Sequence, residues 1–350
     1  MQQYKKGRGA QIQVINPFLK TQFVTDHIEG VDEPGITNSL PTEIFYETPS
    51  KIVNKVTSPD VGMDYSLNPY QGCEHGCIYC YARTTHEYWG FNAGLDFESK
   101  IIVKKNAAVL LEKQLLKKSW QPRPIVLSGN TDCYQPLERK LGITRSLLEI
   151  FDKYKHPVAI ITKNTLVLRD LDILAQLAKD NLVMVILSIT TLDEKLRSLL
   201  EPRTASGIKK MKAIAELTQA GVPVSIMNAP IIPGLNHHET PSIIKKAAQN
   251  GALSAGYTTV RLNGKIATVF HDWLVKNFPH REKKVWNQIK ALHGGKVSDS
   301  EFGRRMRGEG SYSEIIKQLF TQAVNRYMSD SVKPVLTTSK FRKGGNYGLF

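Results

Sequence analysis

Three of the four cysteines in this 350-residue chain lie close together, in the stretch NPYQGCEHGCIYCYAR that spans residues 68–83. Cys73, Cys77 and Cys80 follow the spacing Cys-x3-Cys-x2-Cys, which brings three thiols to one side of a short loop. Thiolates are soft ligands that select zinc, copper(I) or iron–sulfur clusters. A structural zinc site closes with four protein ligands, whereas a four-iron cluster held by three cysteines leaves one iron open for chemistry.

The cysteine motif, with the aromatic Tyr79 just before its last cysteine, resembles the signature of the radical S-adenosylmethionine (SAM) superfamily. Further segments resemble the branch that contains spore photoproduct lyase and DNA-repair-photolyase-like proteins: TDCYQPLER at 131–139, LEPRT at 200–204 and PIIPGLN at 230–236. The similarity to an uncharacterised subgroup of this branch covers nearly the whole chain. It implies a lyase-like enzyme that uses a [4Fe-4S] cluster and SAM.

The resemblance also implies a mechanism. Cys73, Cys77 and Cys80 would each bind one iron, and the amino and carboxylate groups of SAM would chelate the fourth. An external one-electron donor, similar to flavodoxin or ferredoxin, would drive reductive cleavage of SAM to a 5′-deoxyadenosyl radical, which abstracts hydrogen from the substrate. The alternative is a non-enzymatic, zinc-dependent nucleic-acid-binding protein, with a fourth zinc ligand from Cys133, His75 or His86.

Candidate SAM-binding residues follow from the same resemblance. Tyr79 would lie near the adenine of SAM. The segment SGNTD at 128–132 occupies the position of the Gly-Gly-Glu-type motif that contacts the SAM amino group, which makes candidates of Gly129, Asn130, Thr131 and Asp132. The competing interpretation is ordinary turn chemistry, because Gly, Asn and Asp favour turns.

Three more candidates lie near predicted strand ends or in the LEPRT segment. Ser188 is placed to meet the ribose or carboxylate of SAM, and Lys163 is a candidate for the carboxylate. Arg203 offers a planar guanidinium for the same group. Its competing interpretation is a surface salt bridge with Glu201. The backbone of residues 260–263 would meet the adenine.

Cys133 and Tyr134 are the candidate catalytic residues. Spore photoproduct lyase uses a cysteine after its second barrel strand as a hydrogen donor, and Cys133 falls in the corresponding loop, a few residues late. Sequences of the subgroup commonly carry Pro there, in a TDPYQP pattern. Tyr134, beside it, is a candidate radical relay.

The elements that must position these residues follow a strand–helix alternation from residue 61. Six strands are predicted, at residues 63–67, 125–128, 158–162, 182–189, 222–228 and 257–262. Helices between them are long enough to cross over parallel strands. Six units indicate an α/β fold with a partial (β/α)6 TIM-type barrel, whose functional groups lie at the carboxyl ends of the strands.

Three regions are predicted along the chain: an irregular extension (1–60), the radical SAM core (61–264) and a basic helical appendage (265–350). The last carries 16 basic and seven acidic residues, and the whole chain has a formal charge of +15. Such a surface attracts polyanions, so a nucleic acid is a candidate partner, and a lysine-rich soluble surface is the alternative. No apolar run predicts a membrane span or a secretory signal. Clustered thiols fit the reducing cytoplasm.

Overall fold

The structure, a computed structural model, describes residues 5–18, 41–333 and 335–344 of the chain. Its ten strands are β1 (Glu43–Glu47), β2 (Val53–Lys55), β3 (Tyr65–Leu67), β4 (Tyr70–Gln71), β5 (Lys100–Lys104), β6 (Ile125–Leu127), β7 (Val158–Thr162), β8 (Val183–Ser188), β9 (Val224–Ile231) and β10 (Ser254–Thr259).

Eleven α-helices cover or join these strands in the described part of the chain. They are α1 (Asp96–Ser99), α2 (Ala107–Leu115), α3 (Glu138–Leu141), α4 (Ile143–Lys153), α5 (Leu171–Lys179), α6 (Glu194–Leu200), α7 (Gly207–Gln219), α8 (Thr240–Gln249), α9 (Ile266–Asn277), α10 (Glu282–Leu292) and α11 (Gly310–Tyr327). Short 3-10 helices span Tyr81–Trp89, Thr165–Asp170 and His237–Glu239.

The main sheet has the strand order β10-β9-β8-β7-β6-β3-β2. Six of its strands, β3 and β6 to β10, run parallel to their neighbours, and β2 adds an antiparallel edge beside β3. The edge strands β2 and β10 do not pair with each other in the described chain. The predicted partial (β/α)6 barrel is therefore confirmed.

The last barrel strand lies three residues earlier than the sequence predicts. The apolar pattern favours residues 257–262, whereas β10 is Ser254–Thr259, with a register shift between Tyr257 and Thr259. Its first residues, Ser-Ala-Gly, have weak strand propensity, and pairing with β9 overrides that preference.

A second, three-stranded sheet lies beside the barrel, with the order β1-β5-β4. The sequence predicts an irregular segment over residues 1–60, yet Glu43–Glu47 and Val53–Lys55 are strands. β1 forms because it pairs in parallel with β5, which is far away in sequence, so local patterning gives little sign of it. Residues 19–40, which include most of VDEPGITNSLP, lie outside the described residues.

Two large groups of buried apolar side chains stabilise the fold. The main one fills the space between the barrel strands and their helices. The second joins the cysteine loop to the C-terminal helices: Cys77 and Tyr79 pack in one cluster with Phe270, Trp273 and Ile289. The predicted boundary at residue 265 stays a prediction, but helices α9 and α10 share a core with the predicted site.

The chain near its C-terminus crosses the amino end of the barrel. The ring of Phe341 packs edge-on against His156, with ring centroids 5.4 Å apart. The Arg342 backbone N–H donates to the carbonyl of Tyr154 at 2.8 Å. This contact lies at the barrel end opposite the cysteine loop. The last residues, 345–350, lie outside the described residues.

Candidate active site

The cysteine loop follows β3 and β4, and it leads into the 3-10 helix Tyr81–Trp89. Cys73 and Cys77 are buried, whereas Cys80 is partly exposed. The Cys73 N–H donates to the carbonyl of Phe97 at 2.8 Å, which fixes the start of the loop. Cys77 and Cys80 lie close enough to Cys73 to act on its thiol electrostatically, so the three thiols are neighbours in the loop after the first parallel strand. Their role as iron ligands stays a prediction.

Burial raises the pKa of all three thiols, because a thiolate is poorly solvated there. Backbone N–H groups act in the opposite direction: that of His75 donates to the Cys73 sulfur, and that of Ala82 to the Cys80 sulfur. Such donors stabilise thiolates and tune iron–sulfur clusters. A bound cation would favour the thiolate form further.

The cysteine side chains fit one of the two metal sites that the sequence leaves open better than the other. Within the described residues, no group of three or more His, Cys, Asp or Glu side chains is arranged to hold a single metal ion. A cubane cluster makes a different demand, since each cysteine binds a different iron. Three thiols on one loop, with N–H donors to two sulfurs, fit a [4Fe-4S] cluster.

An N-terminal strap, defined here as residues 7–10, lies directly on the cysteine loop. The Gly9 and Ala10 N–H groups donate to the Glu98 carboxylate at 2.9 and 2.7 Å. A Cβ atom on Gly9 would lie 1.8 Å from the carbonyl oxygen of Gly76, so only glycine permits this approach. The strap and the loop are thus packed backbone to backbone.

Glu98 also forms a fully buried ion pair with Arg83, with 2.5 Å between Nη2 and Oε1. The same guanidinium donates to three carbonyl groups: Cys77 at 3.0 Å, Ala93 at 3.1 Å and Gly94 at 2.9 Å. Buried charges are tolerated when they are paired and fully hydrogen-bonded, and Arg83 meets that condition. This pair links the strap to the backbone of a cluster ligand.

Arg203 contacts the strap and the cysteine loop, and it does not pair with Glu201. Its Nε donates to the Gly7 carbonyl at 3.1 Å, and its Nη1 lies 3.5 Å from a Glu74 carboxylate oxygen. Its backbone N–H donates to the His75 carbonyl at 3.3 Å. The alternative of a surface salt bridge with Glu201 is therefore wrong, and SAM binding by Arg203 stays a prediction.

Glu201 is instead the centre of a buried charge network beneath Tyr79. Its carboxylate lies 3.1 Å from the Lys163 amine and 3.4 Å from the Lys210 amine. The hydroxyls of Tyr79 and Thr190 also donate to it. Burial opposes ionisation of Glu201, but the two lysines outweigh it and hold the pKa of this carboxyl well below its ordinary value. The hydroxyl of Tyr79 is thereby held in place by Glu201.

The SGNTD segment is held by side chains from the start of the cysteine motif. The Asn68 amide oxygen accepts from the N–H groups of Asn130 and Thr131, at 2.8 and 3.3 Å. On the other side, the Tyr81 hydroxyl donates to the Gly129 carbonyl at 2.6 Å. The segment therefore lies against the cysteine loop, as the resemblance implies, and these residues stay candidates for SAM binding.

Asp132 accepts hydrogen bonds from the protein itself. The Lys163 N–H and the Thr162 hydroxyl both donate to it at 2.8 Å, and His75 Nδ1 lies 3.4 Å away. Burial opposes its ionisation, but His75 and the backbone N–H groups of Lys163 and Tyr134 lower the pKa of the carboxyl below its ordinary value. Asp132 is ionised and connects two strand ends to the loop.

The candidate catalytic residues lie in the main core. Cys133 and Tyr134 have no exposed surface, and burial raises the pKa of both side chains. The Tyr134 hydroxyl donates to Asp170 at 2.9 Å, and the Cys133 carbonyl accepts from Thr144 at 2.7 Å. Ser188, the last residue of β8, is also buried. Their roles stay predictions.

Several residues of the site are not predicted from the sequence. Arg83 and Glu201 fall inside quoted motifs, so their neighbours in sequence give a signal. Gly9, Glu98 and Lys210 have no such signal in the sequence, because their partners come from distant parts of the chain.

In the part of the chain that the structure describes, no helix is both long and apolar enough to span a membrane.

Comparison with protein families gives one match. The family described as the Radical SAM superfamily matches residues 67–247, which include the cysteine loop and four of the six parallel strands, β6 to β9. An uncharacterised protein of Mycobacterium tuberculosis (strain H37Rv) is 32% identical over 232 residues, which cover 66% of this chain and 67% of that protein. An uncharacterised protein of Methanocaldococcus jannaschii is 29% identical over 246 residues, covering 70% and 88%.

Solved structures of spore photoproduct lyase share the fold. One, in complex with a dinucleoside spore photoproduct, has a TM-score of 0.58 at 15% identity and covers 81% of this chain and 79% of that chain. A mutant with bound AdoMet and the same dinucleoside has a TM-score of 0.58 at 14% identity, covering 81% and 78%. At this identity the likeness establishes the architecture.

Proposed function

This chain belongs to the radical SAM superfamily, and we propose that Cys73, Cys77 and Cys80 hold a [4Fe-4S] cluster that binds and cleaves SAM. When bound, the cluster supplies the electron that cleaves SAM, and the resulting 5′-deoxyadenosyl radical abstracts hydrogen from a substrate. The observation that carries this proposal is the loop itself. It presents three thiols at the carboxyl end of a parallel six-stranded barrel, with backbone N–H donors to two sulfurs.

The residues around the loop hold it in one conformation. Glu98 joins the strap to Arg83, and Arg83 holds the carbonyl of the ligand Cys77. On the opposite side, Glu201 fixes the hydroxyl of Tyr79. Metal sites depend on such supporting contacts, since they orient the ligands and control the access of water. The protein's part in the chemistry is to bind, orient and exclude water.

Lys163 is the best-placed cation for the carboxylate of SAM. Its amine lies 5.5 Å from the centre of the Tyr79 ring and is partly exposed. Glu201 is shared between Lys163 and Lys210, so a ligand that engages Lys163 leaves Glu201 paired with Lys210. Asp132, as an ionised carboxylate beside the loop, is matched to the SAM amino group.

The substrate that fits this protein best is a nucleic acid. The formal charge of +15 favours polyanions, and structures of spore photoproduct lyase with the same fold contain a dinucleoside photoproduct. The reaction would then be lyase-like and would serve repair. The electron would come from a flavodoxin- or ferredoxin-like donor. The reducing cytoplasm is the proposed location, because free thiols and an iron–sulfur cluster are stable in such a compartment.

The test is anaerobic reconstitution with iron and sulfide, followed by addition of SAM. We expect a brown protein with about four irons per chain, the count of a cubane cluster. Its electron paramagnetic resonance signal should change with SAM, and 5′-deoxyadenosine should form under reduction. A colourless protein with one zinc, or a cluster that does not respond to SAM, contradicts the proposal. Screening nucleic acids for substrate-dependent 5′-deoxyadenosine formation then tests the substrate.

A further inference from the structure

Arg261 lies two residues beyond β10, at the same end of the barrel as the cysteine loop. Its neighbours Val260 and Leu262 are buried and donate their N–H groups to the carbonyls of Ile231 and Val297, both at 3.0 Å. Side chains alternate along such an extended segment, so Arg261 points to the opposite side. That side is partly exposed.

The guanidinium of Arg261 forms no hydrogen bond and no ion pair with any described residue. The two carboxylates near it, Asp60 and Asp299, are already committed. Asp60 pairs with Arg305, and Asp299 pairs with Arg304. Arg261 is therefore a cation at the mouth of the barrel that forms no direct ion pair with a described carboxylate.

The surroundings of Arg261 disfavour its charge. Partial burial, and then repulsion from Arg305, lower the pKa of Arg261, and the nearby carboxylates of Asp60 and Asp299 offset part of this effect. The guanidinium nitrogens are not among the fully buried, unpartnered atoms of the described chain, so they stay open to a ligand from solvent. An anionic ligand would supply the direct partner that the described residues do not.

The surroundings of Arg261 indicate which anion. Its other neighbour is Tyr81, which directly follows the ligand Cys80 and whose ring is 48% exposed. Tyr88 and Trp89, which lie seven and eight residues further along the same 3-10 helix, are 75% and 40% exposed. An exposed aromatic ring beside an arginine suits nucleic acids, because a base stacks on the ring while a phosphate meets the cation.

We propose that Arg261 binds a phosphate group of a nucleic-acid substrate and so places that substrate at the barrel mouth beside Tyr81. The inference rests on the proposed function for the nature of the substrate. A guanidinium can offer two parallel N–H donors to two phosphate oxygens, which fixes orientation as well as position. In this role Arg261 is a binding residue for the substrate and takes no part in proton or electron transfer.

The test measures binding of a fluorescein-labelled oligothymidylate of about 20 nucleotides, long enough to cover a typical single-strand site, to the reconstituted protein by anisotropy over a series of KCl concentrations. The variants are Arg261→Gln, Arg261→Lys and a matched control, Arg123→Gln. Arg123 lies two residues before β6, at the opposite end of the barrel. Its side chain is 61% exposed and pairs with Asp64. The control thus removes the same charge away from the mouth.

We expect Arg261→Gln to weaken oligonucleotide binding about tenfold, which is the usual effect of losing one hydrogen bond to a charged group. The slope of the logarithm of the binding constant against the logarithm of the salt concentration should become shallower by about 0.7, the value for one phosphate of a single strand. Arg261→Lys should keep the salt dependence but bind the oligonucleotide more weakly than wild type, because a lysine amine cannot offer the two parallel N–H donors of a guanidinium. The affinity of Arg123→Gln for the oligonucleotide should stay within about twofold of the wild-type value, because an exposed ion pair contributes little.

Three results would overturn the inference: no oligonucleotide binding by the wild type, unchanged binding by Arg261→Gln, or equal loss in the Arg123→Gln control. A fourth is weakened SAM binding by Arg261→Gln, measured calorimetrically, with oligonucleotide binding unchanged; the guanidinium would then serve the SAM carboxylate. Failure of the proposed function is a separate result, a wild-type protein that forms no cluster and cleaves no SAM.

Discussion

The cysteine loop and the Arg261 side of the barrel mouth differ in how their charged side chains are paired. Around the loop, Arg83 pairs with Glu98, and Lys163 and Lys210 share Glu201. At the mouth, the Arg261 guanidinium has no partner among the described residues, although Asp60 and Asp299 lie near it. The difference separates a region built to keep one conformation from a region that an incoming ligand completes.

The largest effect is expected where the loop itself is changed. Cys77→Ala should abolish cluster assembly and SAM cleavage together, since a buried ligand is removed. The matched control is Cys133→Ala, which alters a cysteine in the main core and should retain iron. Iron content and 5′-deoxyadenosine formation measure both. Retained 5′-deoxyadenosine production by Cys77→Ala would refute the ligand assignment.

Removing the shared carboxylate is expected to be the next largest change. Glu201→Gln leaves the buried amine of Lys210 without a counter-ion, a situation that destabilises proteins by about 3–5 kcal/mol. The control Glu149→Gln removes an exposed carboxylate and should cost below about 1 kcal/mol. Urea denaturation gives both values. Equal costs would show that the Glu201 network is not needed for stability.

The same carboxylate predicts a pH dependence. Because the folded pKa of Glu201 lies below its ordinary value of 4.5, the unfolded chain binds its proton more readily. The stability from Glu201 is therefore fully present above pH 4.5 and is lost as the pH falls below it. The free energy of unfolding of wild type should decline in this window, and Glu201→Gln should flatten the decline. An equally steep decline in the variant would assign the effect to other carboxyls.

A smaller effect is expected from the strap. Gly9→Ala introduces a methyl group where the Gly76 carbonyl lies, so the strap must move away from the loop. Loss of supporting contacts typically weakens metal binding about tenfold or more, and chelator-driven iron release should accelerate accordingly. Gly62→Ala is the control, since its Cβ meets nothing within 4 Å. Equal release rates would remove the strap from the site.

The smallest effect is expected at the mouth. Arg261→Gln should change the free energy of unfolding by less than about 0.5 kcal/mol, because no hydrogen bond or ion pair is lost. Comparison with Glu201→Gln by urea denaturation measures the contrast between the two regions directly. A cost as large as that of Glu201→Gln would mean that Arg261 already has a structural partner.

The sequence predicts local features of this protein well. The cysteine spacing and β7, predicted at residues 158–162, are read from neighbouring residues. The Glu98 contacts are not predictable in this way, because Gly9 and Glu98 are 89 residues apart. Likewise, nothing in the sequence next to Lys210 indicates its partner, and only the fold brings it to Glu201.

The C-terminal region shows the same limit. Its amphipathic helices predict a basic appendage, but Trp273 of α9 is fully buried and donates to the Leu199 carbonyl at 3.0 Å. Helical periodicity shows that one face is apolar without showing what covers it. Deleting residues 265–350 would therefore expose the core shared with Cys77, and point substitutions test its charge more cleanly.

The backbone amides of Gly9 and Ala10 offer a reporter that requires no view of the metal. Thermodynamic coupling is reciprocal. If docking of the strap on Glu98 stabilises the bound cofactor, the bound cofactor stabilises the docked strap by the same free energy. Deuterium uptake at these two positions should therefore slow when the thiols are loaded. Mass spectrometry of an N-terminal peptide could then follow cofactor loading and loss in real time, even in colourless mixtures.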